Sequence, residues 1–158
     1  MKKVLITYVS MSGNTEDIAN LLMQEFSEQG LDVHLEEMES TRIEDLTSYE
    51  LILVGTYTWG NGDLPYETEE FYEGLVDAEI SGLKAACFGS GDHAYPKFCE
   101  AVNLFYNQLS VCRSDVYKDT LKMEFGPETD DEIEMCREFA REIINWVLNE
   151  KGSVSHVS

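Results

Sequence analysis

Hydrophobic positions along this chain follow two rhythms, one close-packed and one helical. Val4-Leu5-Ile6-Thr7-Tyr8-Val9 is almost wholly apolar, the signature of a strand buried on both faces. Ile18, Leu21, Leu22, Glu25 and Phe26 then share one helical face, and the helix they predict ends before Gly30. From Leu31 to Met38 the pattern alternates, Leu31, Val33 and Leu35 against Asp32, His34 and Glu36, which predicts a half-exposed edge strand with His34 turned to solvent. A polar connector from Ser40 to Tyr49 carries a helical turn around Ile43 and Leu46, and Leu51-Ile52-Leu53-Val54 is the next buried strand, closed by Gly55-Thr56. Tyr66 to Leu75 predicts a helix interrupted near Gly74; Leu83 to Gly89 predicts a fourth strand, with Ser90 to Pro96 as its exit loop. Phe98, Val102, Phe105 and Leu109 recur at helical spacing. Val111 to Tyr117 predicts a fifth strand, which Leu121, Met123 and Phe125 either continue or leave as an outlying extension. Ile133, Cys136, Ala140, Ile143, Ile144 and Val147 define a final helix, and Asp130-Asp131-Glu132 suit its positive N-terminal end.

Five strands alternating with helices predict an α/β three-layer sandwich around a five-stranded parallel sheet. Right-handed crossovers and a central first strand give the order 2-1-3-4-5. Nothing divides the chain, so residues 1–150 form one domain and residues 151–158 a flexible C-terminal tail. In such a sheet ligands bind beyond the carboxyl ends of the strands, beside the first strand. The loops Ser10 to Thr15, Thr56 to Pro65 and Ser90 to Pro96 all leave carboxyl ends and therefore converge.

Charge narrows the partners. The 158 residues hold 31 acidic and 11 basic side chains, a formal charge of -20. Nucleic acid and anionic membrane surfaces both need a positive protein face, so neither is a partner; a basic protein would be drawn in from a distance. The first apolar run is too short to span a bilayer and has no small-residue cleavage signal after it, so a cytoplasmic location is the default. Cys87, Cys99, Cys112 and Cys136 form no CxxC pair, and His34, His93 and His156 no metal-ligand spacing. No metal site and no catalytic residue is expected.

The three loops carry the chemistry. Ser10-Met11-Ser12-Gly13-Asn14-Thr15 is a strand-to-helix turn crowded with hydroxyls and backbone amides, a combination that suits an anion. It lacks Lys and Arg, which excludes the GxxxxGK[ST] triphosphate loop, and its single Gly13 fails the GxGxxG dinucleotide pattern. Two readings stay open: a socket for one terminal phosphate held by neutral donors, or a serine-rich turn that only caps its helix. In the second loop, Trp59 among small polar residues is poorly explained as core; it is a platform for a planar ligand, a partner anchor or a lid. Gly60 and Gly62 free the backbone around it. The third loop, Gly89-Ser90-Gly91-Asp92-His93-Ala94-Tyr95-Pro96, adds a second ring in Tyr95. Asp92 either accepts from a ring N–H or caps the turn, and nothing nearby in sequence orients His93 as a base. A phosphate socket, two rings and backbone amides together suggest a flat phosphorylated cofactor, and flavin mononucleotide (FMN) fits. A signalling receiver domain would need an acidic cluster after the first strand and an Asp after the third, where Ser10 and Gly55-Thr56 stand. A cofactor-free acidic interaction module would leave the three converging loops unexplained.

With these three motifs in this order, the chain to about Val147 resembles flavodoxin in its short-chain form, without the long loop of the long-chain branch in the last strand region. The resemblance implies a flavodoxin-like fold and non-covalent FMN cycling among oxidised, semiquinone and hydroquinone states. It places cofactor contacts at Ser10, Met11, Ser12, Gly13, Asn14 and Thr15 for the phosphate, with Thr58 reaching the same region. Thr56, Tyr57, Trp59 and Gly60 follow in the second loop and Ser90, Gly91, Asp92 and Tyr95 in the third. Trp59 and Tyr95 would cover opposite faces of the isoalloxazine, Asp92 would sit near its pyrimidine edge, and Gly60 would turn its peptide toward flavin N5. The implied function is that of a low-potential carrier, not an enzyme. It would shuttle single electrons between an NAD(P)H-dependent flavodoxin/ferredoxin reductase and acceptor redox enzymes, as a monomer. The alternative, an FMN-dependent NAD(P)H or quinone oxidoreductase, needs substrate space that stacked Trp59 and Tyr95 would obstruct. Asp63, Glu67, Glu69, Glu70, Glu73, Asp77 and Glu79, with no basic residue among them, would lower the second reduction potential and attract basic partners.

Overall fold

The two most continuous apolar runs become the middle of a parallel sheet. β1 (Lys3–Tyr8) lies against β3 (Leu51–Tyr57), with Val4 opposite Leu51 and Tyr8 opposite Gly55. The computed structural model describes residues 2–149 in full and residues 150–157 as backbone of the last helix; the side chains of the tail expected over residues 151–158 lie outside what is described. β2 (Asp32–Glu37) flanks β1 on its open side, and β4 (Lys84–Gly91) flanks β3. Beyond β4, the fifth position is shared by two short parallel strands, β5 (Asp115–Val116) and β6 (Leu121–Glu124). The order β2-β1-β3-β4-β5 is the expected one, with β6 as the outlying extension.

Alternate residues of the central strands feed two cores, which is why these strands carry no polar alternation. On one face, α1 (Asn14–Glu28) and α4 (Asp130–Val157) bury Ile18, Leu22, Phe26, Phe139 and Ile143 against Val4, Ile6, Leu53 and Phe88. On the other, α2 (Glu69–Gly74) and α3 (Glu100–Val111) bury Phe71, Val102, Phe105 and Leu109 against Leu5, Ile52, Val54 and Cys87. Gly55 makes room for the Phe88 ring: a Cβ there would lie 2.2 Å from Cζ. Glu25 is buried between α1 and α4, where the Arg141 guanidinium donates to it at 3.2 Å and Gln29 at 3.3 Å.

Four elements differ from expectation, each for a local reason. β3 runs on through Gly55 and Thr56 to Tyr57, and β4 through Ser90 to Gly91, because Thr56 and Tyr57 pair with Gly89 and Ser90. The helix over 66–75 breaks into a 3₁₀ turn (Tyr66–Thr68), α2, and a second 3₁₀ turn (Leu75–Asp77), the first closed by the Thr68 hydroxyl donating to Pro65 O. Val111 belongs to α3, not to a strand. That helix ends in a Schellman motif, Ser114 N–H to Leu109 O and Arg113 N–H to Ser110 O, with Arg113 at φ +67°. Phe98 precedes α3, since Cys99 at φ +52° delays the start to Glu100, but it packs half-buried against the same core as Val102, Phe105 and Leu109.

Candidate functional site

Because β1, β3 and β4 are parallel, Tyr8, Tyr57 and Gly91 end at one edge, and the three chemistry-bearing loops leave it together. They enclose a pocket of about 400 Å³, within the range of small-molecule sites. From the first loop, Ser10, Met11, Ser12, Asn14 and Thr15 line it; from the second, Tyr57, Thr58, Trp59 and Gly60; from the third, Ser90, Gly91, Asp92 and Tyr95. Gly13 and Thr56 do not. Gly13 is the N-cap of α1 at φ +93°, where it lets the turn pass into the helix. Thr56 is buried within β3, its hydroxyl donating to Tyr57 O.

Five polar side chains of the site, Ser10, Thr15, Thr58, Ser90 and Asp92, are anchored from behind. Ser10 Oγ accepts from Gly13 N–H at 3.1 Å and Glu16 N–H at 3.3 Å, so the capping role is real and the hydroxyl proton remains to be donated outward. Thr15 and Ser90 share a buried hydroxyl–hydroxyl bond of 2.7 Å that ties the first loop to the end of β4. Thr58 Oγ1 accepts from Ala101 N–H at the start of α3, again leaving its proton. Asp92 also serves its turn: Oδ1 accepts from Ala94 N–H at 2.9 Å. The Trp59 hairpin is held by reciprocal 2.8 Å bonds between the backbones of Trp59 and Asp63, with Gly60 at φ +51° and Gly62 at φ +101°.

Two tyrosines brace the floor. Tyr57 donates to Glu67 and Tyr8 to Glu16. Burial, reinforced by the facing carboxylate, pushes each phenol up to about 12, so both remain proton donors at neutral pH. Trp59 and Tyr95, by contrast, are 54% and 52% exposed, large rings with their faces open beside the pocket. His93 stacks on Phe98 at 3.7 Å and its backbone N–H donates to Glu124, an arrangement that shapes the loop and offers no base to the pocket.

Three lining residues escaped sequence reasoning: Lys97, Cys99 and Phe125. Lys97 lays its stem against Gly62, whose added Cβ would meet Cδ at 2.6 Å, and so bridges the second and third loops. Cys99 is buried, which pushes its thiol up to about 11 and keeps it protonated. Among the described residues, Asp92 and Lys97 are the charged groups lining the pocket, and no cluster of His, Cys, Asp and Glu is placed to hold a metal. The donor set suits FMN: neutral hydroxyl and amide donors from the first loop and two exposed rings from separate loops line the same pocket.

Comparison with known proteins agrees with this geometry. The Flavodoxin family model matches residues 6–139. "Probable flavodoxin 1" of Bacillus subtilis (strain 168) is 52% identical over 158 residues, covering 100% of both chains. The crystal structure of oxidised flavodoxin 2 from Bacillus cereus is 44% identical with a TM-score of 0.85, covering 87% of this chain and 94% of that one. Oxidised flavodoxin 1 from the same organism is 36% identical with a TM-score of 0.86, covering 90% and 97%.

Proposed function

The chain belongs to the flavodoxin family, and on that premise we propose that its three-loop pocket holds FMN for electron transfer between a reductase and acceptor redox enzymes. The observation that carries this reading is that one pocket is lined both by Trp59 and Tyr95, each more than half exposed, and by Ser10, Ser12, Asn14 and Thr15. A flat ring system covers the open aromatic faces, and the neutral donors hold a phosphate without the Lys of triphosphate loops.

When bound, FMN supplies the one- and two-electron redox chemistry. The protein's residues bind, tune and present it. Ser10, Ser12, Asn14, Thr15 and Thr58 donate to the phosphate. Trp59 and Tyr95 would exclude water from the ring faces, and stacked there they would obstruct a second substrate, which favours a carrier over an oxidoreductase. Asp92, which lines the pocket, would accept from the pyrimidine edge. Gly60, inside the hairpin closed by the Trp59 and Asp63 backbones, would turn its carbonyl toward N5 and accept a hydrogen bond from an N–H there. The acids following Trp59 disfavour added negative charge on the ring and so lower the second potential.

The reductase is proposed to be NAD(P)H-dependent and basic at its docking face, and the carrier to be a cytoplasmic monomer; no helix among the described residues is long and apolar enough to cross a membrane. Anaerobic stepwise reduction of the FMN-loaded protein, followed by its visible spectrum, tests the function. Two separated one-electron steps support the carrier. A single two-electron step moves the assignment to an FMN-dependent oxidoreductase, and failure to bind FMN overturns both.

A further inference from the structure

Three non-glycine residues among those described adopt positive φ: Cys99, Arg113 and Phe125. Arg113 occupies the left-handed position of a helix end, and Cys99 is fixed by burial. Phe125 has neither excuse. At φ +57° it stands where a bulky side chain is an outlier and Gly or Asn the relaxed choice. The residue is 47% exposed, so core packing does not offset the strain. Strain retained without a packing reason points to a function at that spot.

The strained turn is held from two sides. Phe125 N–H donates to Gly91 O at 2.9 Å, and Glu124 accepts from His93 N–H at 3.0 Å, which clamps the end of β6 to the third loop. Gly126 is buried against the first loop, where an added Cβ would meet Asn14 Oδ1 at 3.1 Å. Between these anchors the phenyl ring joins the wall of the pocket. Alternation along β6 would bury Phe125 beside Leu121 and Met123; the positive φ turns it out to the site instead.

We propose that Phe125 is a flavin-contacting residue: the turn at the end of β6 forms a fourth wall of the pocket and presses this ring on the bound nucleotide where the first and third loops meet. The proposal rests on the FMN reading above and adds a contact from a strand that none of the three loops contains. The backbone strain is what orients the ring, so stability of the empty protein and affinity for FMN oppose each other at this one position.

The test combines FMN titration of the apoprotein, read by quenching of flavin fluorescence, with urea unfolding of the apoprotein. Phe125→Asn accepts the left-handed conformation without the ring. Its apoprotein midpoint should equal or exceed that of the wild type, while its Kd for FMN rises about tenfold, the loss of one aromatic contact. Phe125→Leu keeps the strain and loses the ring, so Kd rises with no gain in stability; Phe125→Tyr keeps the wild-type Kd. Retention of the wild-type Kd by either ring-deleted variant overturns the proposal. So does a fall in the Phe125→Asn midpoint that accompanies its loss of affinity, which would make the ring structural. Failure of the wild-type protein to bind FMN overturns the cofactor assignment itself.

Discussion

Replacing Gly60 by alanine isolates the backbone's share of redox control. Gly60 lies at φ +51° inside the hairpin closed by the two 2.8 Å bonds between Trp59 and Asp63. The nearest atom to an added Cβ is Asp63 Oδ2 at 3.9 Å, so the methyl group fits and the effect is conformational. At the present φ an alanine costs about 1–2 kcal/mol, carried equally by empty and oxidised protein. Turning the 60–61 peptide so that its carbonyl faces N5 keeps φ positive and takes ψ out of the left-handed well, into space that glycine alone enters freely. That adds about 1–3 kcal/mol to every state that uses the turned carbonyl. At 59 mV per tenfold change for one electron, the first one-electron potential falls by about 40–130 mV. The second moves much less, because the N5–H gained with the first electron is kept through the next. Spectroelectrochemical titration of Gly60→Ala beside the wild type measures both. An unchanged gap between the two potentials would refute the argument that this peptide turns toward the flavin.

Other perturbations probe the floor, the pocket edge and the core. Lys97→Met keeps the stem against Gly62 and removes the ammonium; a charge at about 10 Å predicts a second potential lower by roughly 20–40 mV at low salt. The shift should fade at high salt, and its absence at low salt would take Lys97 out of redox tuning. Gly55→Ala forces a methyl group into the Phe88 ring and should cost about 3 kcal/mol, read as a lower urea midpoint with an unchanged m-value. Burial and the Glu67 carboxylate hold the Tyr57 phenol at about 12, whereas the unfolded chain releases that proton near pH 10. The folded state thus binds the extra proton between these values, so stability is full below pH 10 and lost as pH rises to about 12. Tyr57→Phe should flatten that alkaline decline, and an equally steep decline in the variant would remove Tyr57 as its source.

How much was legible before folding depended on whether a position's conformation matched its residue type. The end of α1 was plain because Gly30 occupies the left-handed position of its Schellman motif, Gly30 N–H to Ser27 O and Leu31 N–H to Phe26 O. The end of α3 uses the same geometry with Arg113, which carries no stop signal, and so Val111 read as strand. The extensions of β3 and β4 were hidden for another reason. Thr56 and Ser90 look like loop residues, yet register with the neighbouring strand keeps them in the sheet. Within the site, the three loops announced themselves through residues unsuited to a core. Lys97 and Cys99 did not, because the helical spacing that starts at Phe98 predicts a packing segment there. Gly126-Pro127 after Leu121 and Met123 was the available signal that Phe125 stands at a turn on the ligand edge of the sheet.

The divided fifth strand has a use outside electron transfer. β5 is fastened at the base of β4, where Val116 sits opposite Ala85, and β6 at its tip, where Leu121 sits opposite Phe88. Between them the chain leaves the sheet; Lys118 and Asp119 are exposed, while Tyr117 packs on Phe139 and Trp146. Each half is secured by its own ladder, so lengthening the link alters the register of neither. A foreign module spliced between Lys118 and Asp119 would hang from the edge of the fold on a strand that leads straight to the cofactor wall. Pulling on that module would load the ladder at Leu121 first and reach Phe125 at its far end, four residues on, and the protein thereby offers a ready frame for coupling an engineered sensor to a coloured redox group.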